Sequence, residues 1–98
     1  MNQSLPTQPL PLAGIRVIEL GSNVSGPYGT WILAALGADV VKVEEPKKGE
    51  PGRWGFTDKP GMDANYFLYF NLNKRSITCN LKDDEGKALL AKLIESVD

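Results

Sequence analysis

Gly21-Ser-Asn-Val-Ser-Gly26 stands between two strand-like segments, two serines and an asparagine framed by glycines. That composition suits a turn whose free backbone N–H groups face an anion. Its spacing departs from both common phosphate motifs. A P-loop carries Lys and then Ser or Thr after its second glycine, whereas this chain has Pro27 and Tyr28. A dinucleotide fingerprint needs glycines at its first, third and sixth positions. Asn23 occupies the third, so a side chain obstructs the approach to a pyrophosphate, and the dehydrogenase reading is weak. Ser22 to Ser25 could still bind phosphate or carboxylate, or Ser25 could serve only as a helix N-cap.

The other chemically capable residues carry similar alternatives. Glu44 and Glu45 end a predicted strand, where an acid could receive a ribose hydroxyl or simply face water. Arg53, Lys74, Arg75 and Lys82 could meet a polyanion near strand ends, Lys82 being the best placed. The alternative makes them surface charges or partners of Asp58, Asp63 and Asp84. Cys79 falls on the buried face of a predicted strand, where a thiol is usually inert packing. Tyr66, Phe67, Tyr69 and Phe70 crowd one short segment and read as core rather than as a base-stacking platform.

These residues are positioned by an alternating α/β pattern. Ile15, Val17, Ile18 and Leu20 predict a first strand buried on both faces and stopped by Gly21. Pro27 suits the first turn of a helix, and Gly37 its C′ position. Asp39–Glu44 then gives a second strand, completing one βαβ unit with a ligand expected over the turn at the strands' carboxyl ends. Residues 46–60, rich in Pro, Gly and charge, predict a long irregular loop. A short buried helix is expected over Asp63–Phe70 and a polar turn over Asn71–Arg75. Ser76–Leu81 predicts a third strand with Ile77, Cys79 and Leu81 on one face. A last helix runs from Asp83 or Asp84 to Val97 with Leu89, Leu90, Leu93, Ile94 and Val97 as its apolar stripe. No strand follows it, so the chain reads as the N-terminal portion of a longer protein. Isolated, it is expected to be marginally stable and prone to associate.

At 98 residues, 42% hydrophobic, 23% charged and with a net charge of −1, the chain has neither a disordered nor a polybasic composition, and nucleic acid is an unlikely partner. Met1–Pro11 lacks the apolar centre and basic start of a signal peptide and predicts a flexible lead-in before a domain over residues 12–98. The apolar stretch Trp31–Val43 is too short to span a bilayer, and no membrane partner is expected. One cysteine and no histidine leave neither an internal disulfide nor the usual zinc ligands, so no metal is expected and the cytosol is the default.

The ordered set Leu12-x-Gly14, Gly26-Pro27, LGADVVKVE, Gly49-Glu50 with Arg53, Asn73-Lys-Arg-Ser76 and Leu81-Lys82 resembles the start of the class III CoA-transferases. That family takes in formyl-CoA:oxalate and carnitine CoA-transferases and the α-methylacyl-CoA racemases. The resemblance covers the chain from Leu12 onward. It implies a Rossmann-like parallel sheet with flanking helices, incomplete here, and an interlocked homodimer in the full-length enzyme. It implies coenzyme A as part of an acyl-CoA substrate, a carboxylic acid acceptor, and transfer through an aspartyl intermediate. It places Ser22, Asn23, Val24 and Ser25 along the CoA path, Glu45 near the adenine, and Cys79 and Lys82 beside the adenosine and its phosphates. An acid at Glu45 cannot neutralise a phosphate, where some relatives carry a basic residue. The family's catalytic aspartate would lie beyond Asp98, so Asp39, Asp58, Asp63, Asp83 and Asp84 are not expected to replace it and this chain alone is not expected to be active. A racemase of the same superfamily and a non-catalytic nucleotide-binding or interaction module are the alternatives.

Overall fold

Arg16–Glu19 forms β1, Ser25–Ala35 α1, Asp39–Glu44 β2, Asn65–Phe70 α2, Lys74–Thr78 β3 and Asp84–Glu95 α3, with a single 3₁₀ turn at Pro51–Arg53. This computed structural model describes residues 8–55, 57 and 59–98. The first seven residues of the expected lead-in, and Asp58 among the candidate partners, lie outside the described residues. Three parallel strands in the order β1-β2-β3 make the sheet, with Val17 opposite Val40 and Val43 opposite Ile77.

The central strand carries the core. Val40 is completely buried, Val41 and Val43 nearly so, and Ala34, Ala38 and Val40 form a cluster against Leu12, Val17 and Leu33. A fully buried valine stabilises the fold by about 1.5–3 kcal/mol, so β2 contributes more than either neighbour. The expectation that β1 is buried on both faces is corrected. Ile15 and Leu20 are exposed and Val17 and Ile18 only partly covered, because among the described residues β1 lies at the side of the sheet and little packs over its faces.

Helix α1 starts at Ser25, which puts Pro27 in its first turn as expected, and its N-cap is Val24, with no side-chain cap. Ser25 is therefore already helical and cannot serve as the N-cap. The other end matches the expectation. Gly37 has φ +107, its N–H donates to Ala34 O (3.0 Å) and that of Ala38 to Leu33 O (3.0 Å), which together make a Schellman motif. A Cβ on Gly37 would also fall 2.6 Å from Leu10 Cβ, so glycine is needed for space as well as for φ.

The region after β2 departs more from expectation. Pro51–Arg53 gives the loop one ordered turn, with Glu50 as its N-cap. In α2 only Phe67 is buried, and Tyr69 is 55% exposed. Rather than forming core, Tyr69 and Phe70 pack with Tyr28 and Trp31 of α1, Tyr28 meeting Phe70 edge-on at 5.5 Å between ring centres. Asn73, at φ +66, turns the chain sharply enough for β3 to start at Lys74. The strand thus takes in Lys74 and Arg75, expected in a turn, and releases the chain after Thr78. Leu81 consequently leaves the face it was expected to share with Ile77 and Cys79, and is exposed.

Helix α3 is capped by Asp83, whose carboxylate accepts from the Gly86 N–H at 2.7 Å, and Asp84 and Glu85 occupy its first turn. Its apolar stripe is only partly covered: Leu90, Leu93 and Val97 are half-buried, while Leu89 is 46% and Ile94 55% exposed.

Candidate functional site

Parallel strands deliver their carboxyl ends to one edge of the sheet, and there the chain forms a cleft of about 270 Å³. Leu20, Gly21 and Ser22 leave β1 along one side. Val43, Glu44 and Glu45 end β2 at its centre, and Cys79, Asn80, Leu81 and Lys82 follow β3. Gly49, Glu50 and Pro51 of the loop close it from above. The walls are chiefly apolar, with a cationic side chain and several backbone groups among them, the character of a small-molecule site.

Four of the seven residues singled out from the sequence, Ser22, Glu45, Cys79 and Lys82, line this cleft. Asn23, Val24 and Ser25 do not. The Asn23 N–H is turned onto the Glu50 carboxylate (3.0 Å), Val24 is half exposed as the N-cap, and Ser25 begins α1. The turn itself is tight: a Cβ at either Gly21 or Gly26 would stand 3.0 Å from the other's Cα.

Glu45 is exposed, and its carboxylate accepts from the N–H groups of Lys48 (2.8 Å) and Lys47 (3.1 Å), which lower its pKa. Half its acceptor capacity is thereby used within the loop. The Lys82 N–H donates to Asn80 Oδ1 (3.0 Å), fixing the turn that carries the lysine to the rim. Cys79 is buried and its thiol donates to Gly86 O (3.1 Å), the arrangement of a packing residue.

Beneath the cleft lies a network of buried charge that sequence reading missed. Lys42 Nζ donates to Glu19 Oε1 (3.1 Å) and Gly21 O (3.3 Å) and pairs with Glu50 Oε1 at 3.2 Å. Lys74, expected near a strand's carboxyl end to meet a polyanion or else at the surface, instead begins β3 and buries its side chain. Its Nζ donates to Pro27 O (2.9 Å) and Asn71 Oδ1 (2.8 Å) and lies 2.8 Å from Glu19 Oε2, an ion pair without hydrogen-bond alignment. Burial and the opposing effect of Glu19 leave the Lys74 pKa lowered overall. A signal for Lys42 exists in the sequence, since it interrupts the valines of a strand flanked by apolar residues. None marks Glu50, a loop glutamate among prolines and glycines.

Glu44 anchors a second cluster. The Arg53 guanidinium donates to both its oxygens (2.7 and 2.9 Å) and to Asp63 Oδ2 (2.8 Å), while the Glu50 N–H and the Ser76 hydroxyl also donate to Glu44. Burial acts to raise the Glu44 carboxyl, but Arg53, Ser76 and the Glu50 N–H outweigh it and hold it at about 2. Glu44 is thus a fully ionised anchor for the loop, and the Arg53–Asp63 pairing expected as an alternative is present. At the sheet's other end Asp39 pairs with Arg75 (2.7 Å) and Arg16 (3.2 Å). Among the described residues no group of His, Cys, Asp and Glu could hold a metal ion.

Comparison with known proteins bears on this site. The model of CoA-transferase family III matches residues 12–98. A formyl-CoA:oxalate CoA-transferase of Escherichia coli O6:H1 is 47% identical over 88 residues, covering 90% of this chain and 21% of the relative. Among solved structures, a CAIB/BAIF family protein from Brucella suis superposes with a TM-score of 0.81 at 41% identity, covering 93% of this chain and 25% of that one. A hypothetical protein from Mycobacterium tuberculosis gives 0.80 at 38% identity, covering 91% of this chain and 24% of its own. The chain therefore spans about a fifth of the length of the curated relatives it matches.

Proposed function

Because this chain belongs to CoA-transferase family III, we propose that it is the N-terminal, CoA-binding portion of an enzyme that moves CoA between an acyl-CoA and a carboxylic acid. The observation that carries the reading is the cleft at the strands' carboxyl ends, where four of the residues implied in CoA contact converge. Its volume of about 270 Å³ is smaller than sites that enclose a drug-sized ligand. It suits one part of CoA, the remainder extending over residues supplied elsewhere. Lys82 meets phosphate from the rim, the Gly21–Gly26 turn runs beside the ligand, and Leu20, Val43 and Leu81 provide apolar surface. Glu45, already occupied by two backbone donors, contributes through its position rather than as a countercharge.

In the reaction, an aspartate outside this chain attacks the thioester carbonyl. The carbon–sulfur bond breaks, CoA leaves as thiolate and a mixed anhydride forms. The thiolate then attacks the aspartyl carbonyl, releasing the donor acid and leaving an aspartyl-CoA thioester. The acceptor carboxylate attacks that thioester in turn, and the same steps reversed deliver acceptor acyl-CoA and free aspartate. This chain's contribution is binding energy and orientation, which hold the thioester against the nucleophile. Its described aspartates stand elsewhere: Asp39 pairs with two arginines, Asp63 pairs with Arg53, Asp83 caps a helix, Asp84 lies in the first helical turn, and Asp98 accepts from the Arg16 N–H. No helix of the described residues is long and apolar enough to cross a membrane. That the full-length enzyme is a cytoplasmic, interlocked homodimer is carried by the family resemblance alone.

Equilibrium titration of the chain with CoA, with NAD as the competing dinucleotide, tests the reading. Saturable binding of CoA that NAD does not displace is expected. Preference for NAD would support the dehydrogenase reading instead.

A further inference from the structure

Glu50 is 4% exposed in a loop that is otherwise open to solvent over much of its length, and both its carboxylate oxygens are engaged. Oε1 accepts from the Asn23 N–H (3.0 Å) and lies 3.2 Å from Lys42 Nζ, while Oε2 accepts from the Gly52 N–H. Lys42 in turn donates to Gly21 O (3.3 Å). The residues on either side of Ser22, the turn's point of entry into the cleft, are thus tethered to β2 by one buried ion pair. Asn23 holds φ +62, in the left-handed region that asparagine tolerates better than most side chains. The Tyr66 hydroxyl, 3.4 Å from Asn23 Oδ1, approaches from α2. Stability alone does not call for such a device, since well-packed apolar groups often do as well as buried ion pairs. What an ion pair adds is directional attachment, here of a turn to a loop and a strand.

We propose that Glu50 is a positioning residue that fixes the Gly21–Gly26 turn over the cleft through the Asn23 N–H and Lys42. Its functional meaning rests on the CoA reading above, its structural content does not. The test compares E50A and E50Q with the unaltered chain by amide hydrogen exchange without ligand and by CoA titration. In E50A the Asn23 amide should exchange at least about tenfold faster relative to Val40 and Val41, whose amides lie in the sheet. In E50Q, which keeps one oxygen acceptor but loses the charge facing Lys42, the acceleration should be smaller. CoA affinity should fall in the same order, roughly tenfold or more in E50A, with partial rescue in E50Q. Should E50A not fold, E50Q carries the comparison. Exchange at Asn23 that is unchanged in a folded variant, or that rises only in step with Val40 and Val41, overturns the proposal. Absence of CoA binding by the unaltered chain would defeat the CoA reading, while the exchange rates would still decide the role of Glu50.

Discussion

The two ends of this chain's architecture bury opposite things. Beneath the carboxyl edge of the sheet the side chains of Lys42, Glu19 and Glu50, with that of Lys74 reaching in from the start of β3, are packed away from water with matched charges, while α3 leaves Leu89 and Ile94 half in solvent. Ordinary partition would reverse these assignments. The difference shows that the charges at the cleft edge find their partners within this chain, whereas the apolar face of α3 is only partly covered among the described residues. Removing a member of a buried charge network leaves its partners without compensation, so the network ties the geometry of this region to the residues that compose it.

Removing one member should break the comparison most severely. Lys42→Ala leaves Glu19 and Glu50 facing each other without their shared cation, and breaking a buried pair in this way costs about 3–5 kcal/mol. A large fall in the urea midpoint is expected. An unfolding free energy within about 0.5 kcal/mol of the unaltered chain's, taken from the same urea curves, would mean that the network carries little.

Acid should act next, through Glu44. Its folded carboxyl stands at about 2 against an ordinary value of 4.5, so the folded state favours the ionised form. The resulting stability is fully present above pH 4.5 and is lost as pH falls through about 2. Urea midpoints measured across that window should decline for the unaltered chain and decline less for Glu44→Gln. Parallel curves would show that Arg53 does not hold Glu44 as described.

Lys82→Ala should leave folding intact and weaken CoA binding by about 1–3 kcal/mol, the scale of a charge-assisted hydrogen bond to phosphate. Unaltered affinity in a titration of the folded variant would remove Lys82 from the site.

The smallest effect belongs to the other region. Ile94→Lys, on the open face of α3, should change stability by no more than about 0.5 kcal/mol and reduce self-association in sedimentation. A large loss of stability would mean that the face is covered within the chain after all.

This contrast also explains what was legible in the sequence. The extent of β2, the Gly37 terminus and the Asp83 start of α3 rest on local rules of periodicity and capping, and each is found as those rules require. The convergence of Ser22, Glu45, Cys79 and Lys82 on one cleft follows from parallel pairing, which places strand ends together. The position of Asn23 to Ser25 outside the cleft lining is not written locally: the Asn23 N–H is turned onto a glutamate 27 residues away, a contact that no local pattern encodes. Lys74 was misread for the same reason: its burial is decided by Glu19 from another strand. The aromatic run of α2 was read as core because composition does not tell which side of a six-residue helix meets the sheet.

The central claim is that CoA occupies the cleft at the strands' carboxyl ends, and residue-resolved NMR during a CoA titration tests it most directly. Saturable shift changes are predicted at Ser22, Glu45, Cys79, Asn80 and Lys82, with α3 beyond its first turn unaffected. Saturable changes centred on the exposed stripe of α3, or none at the cleft residues at any CoA concentration, would contradict the account.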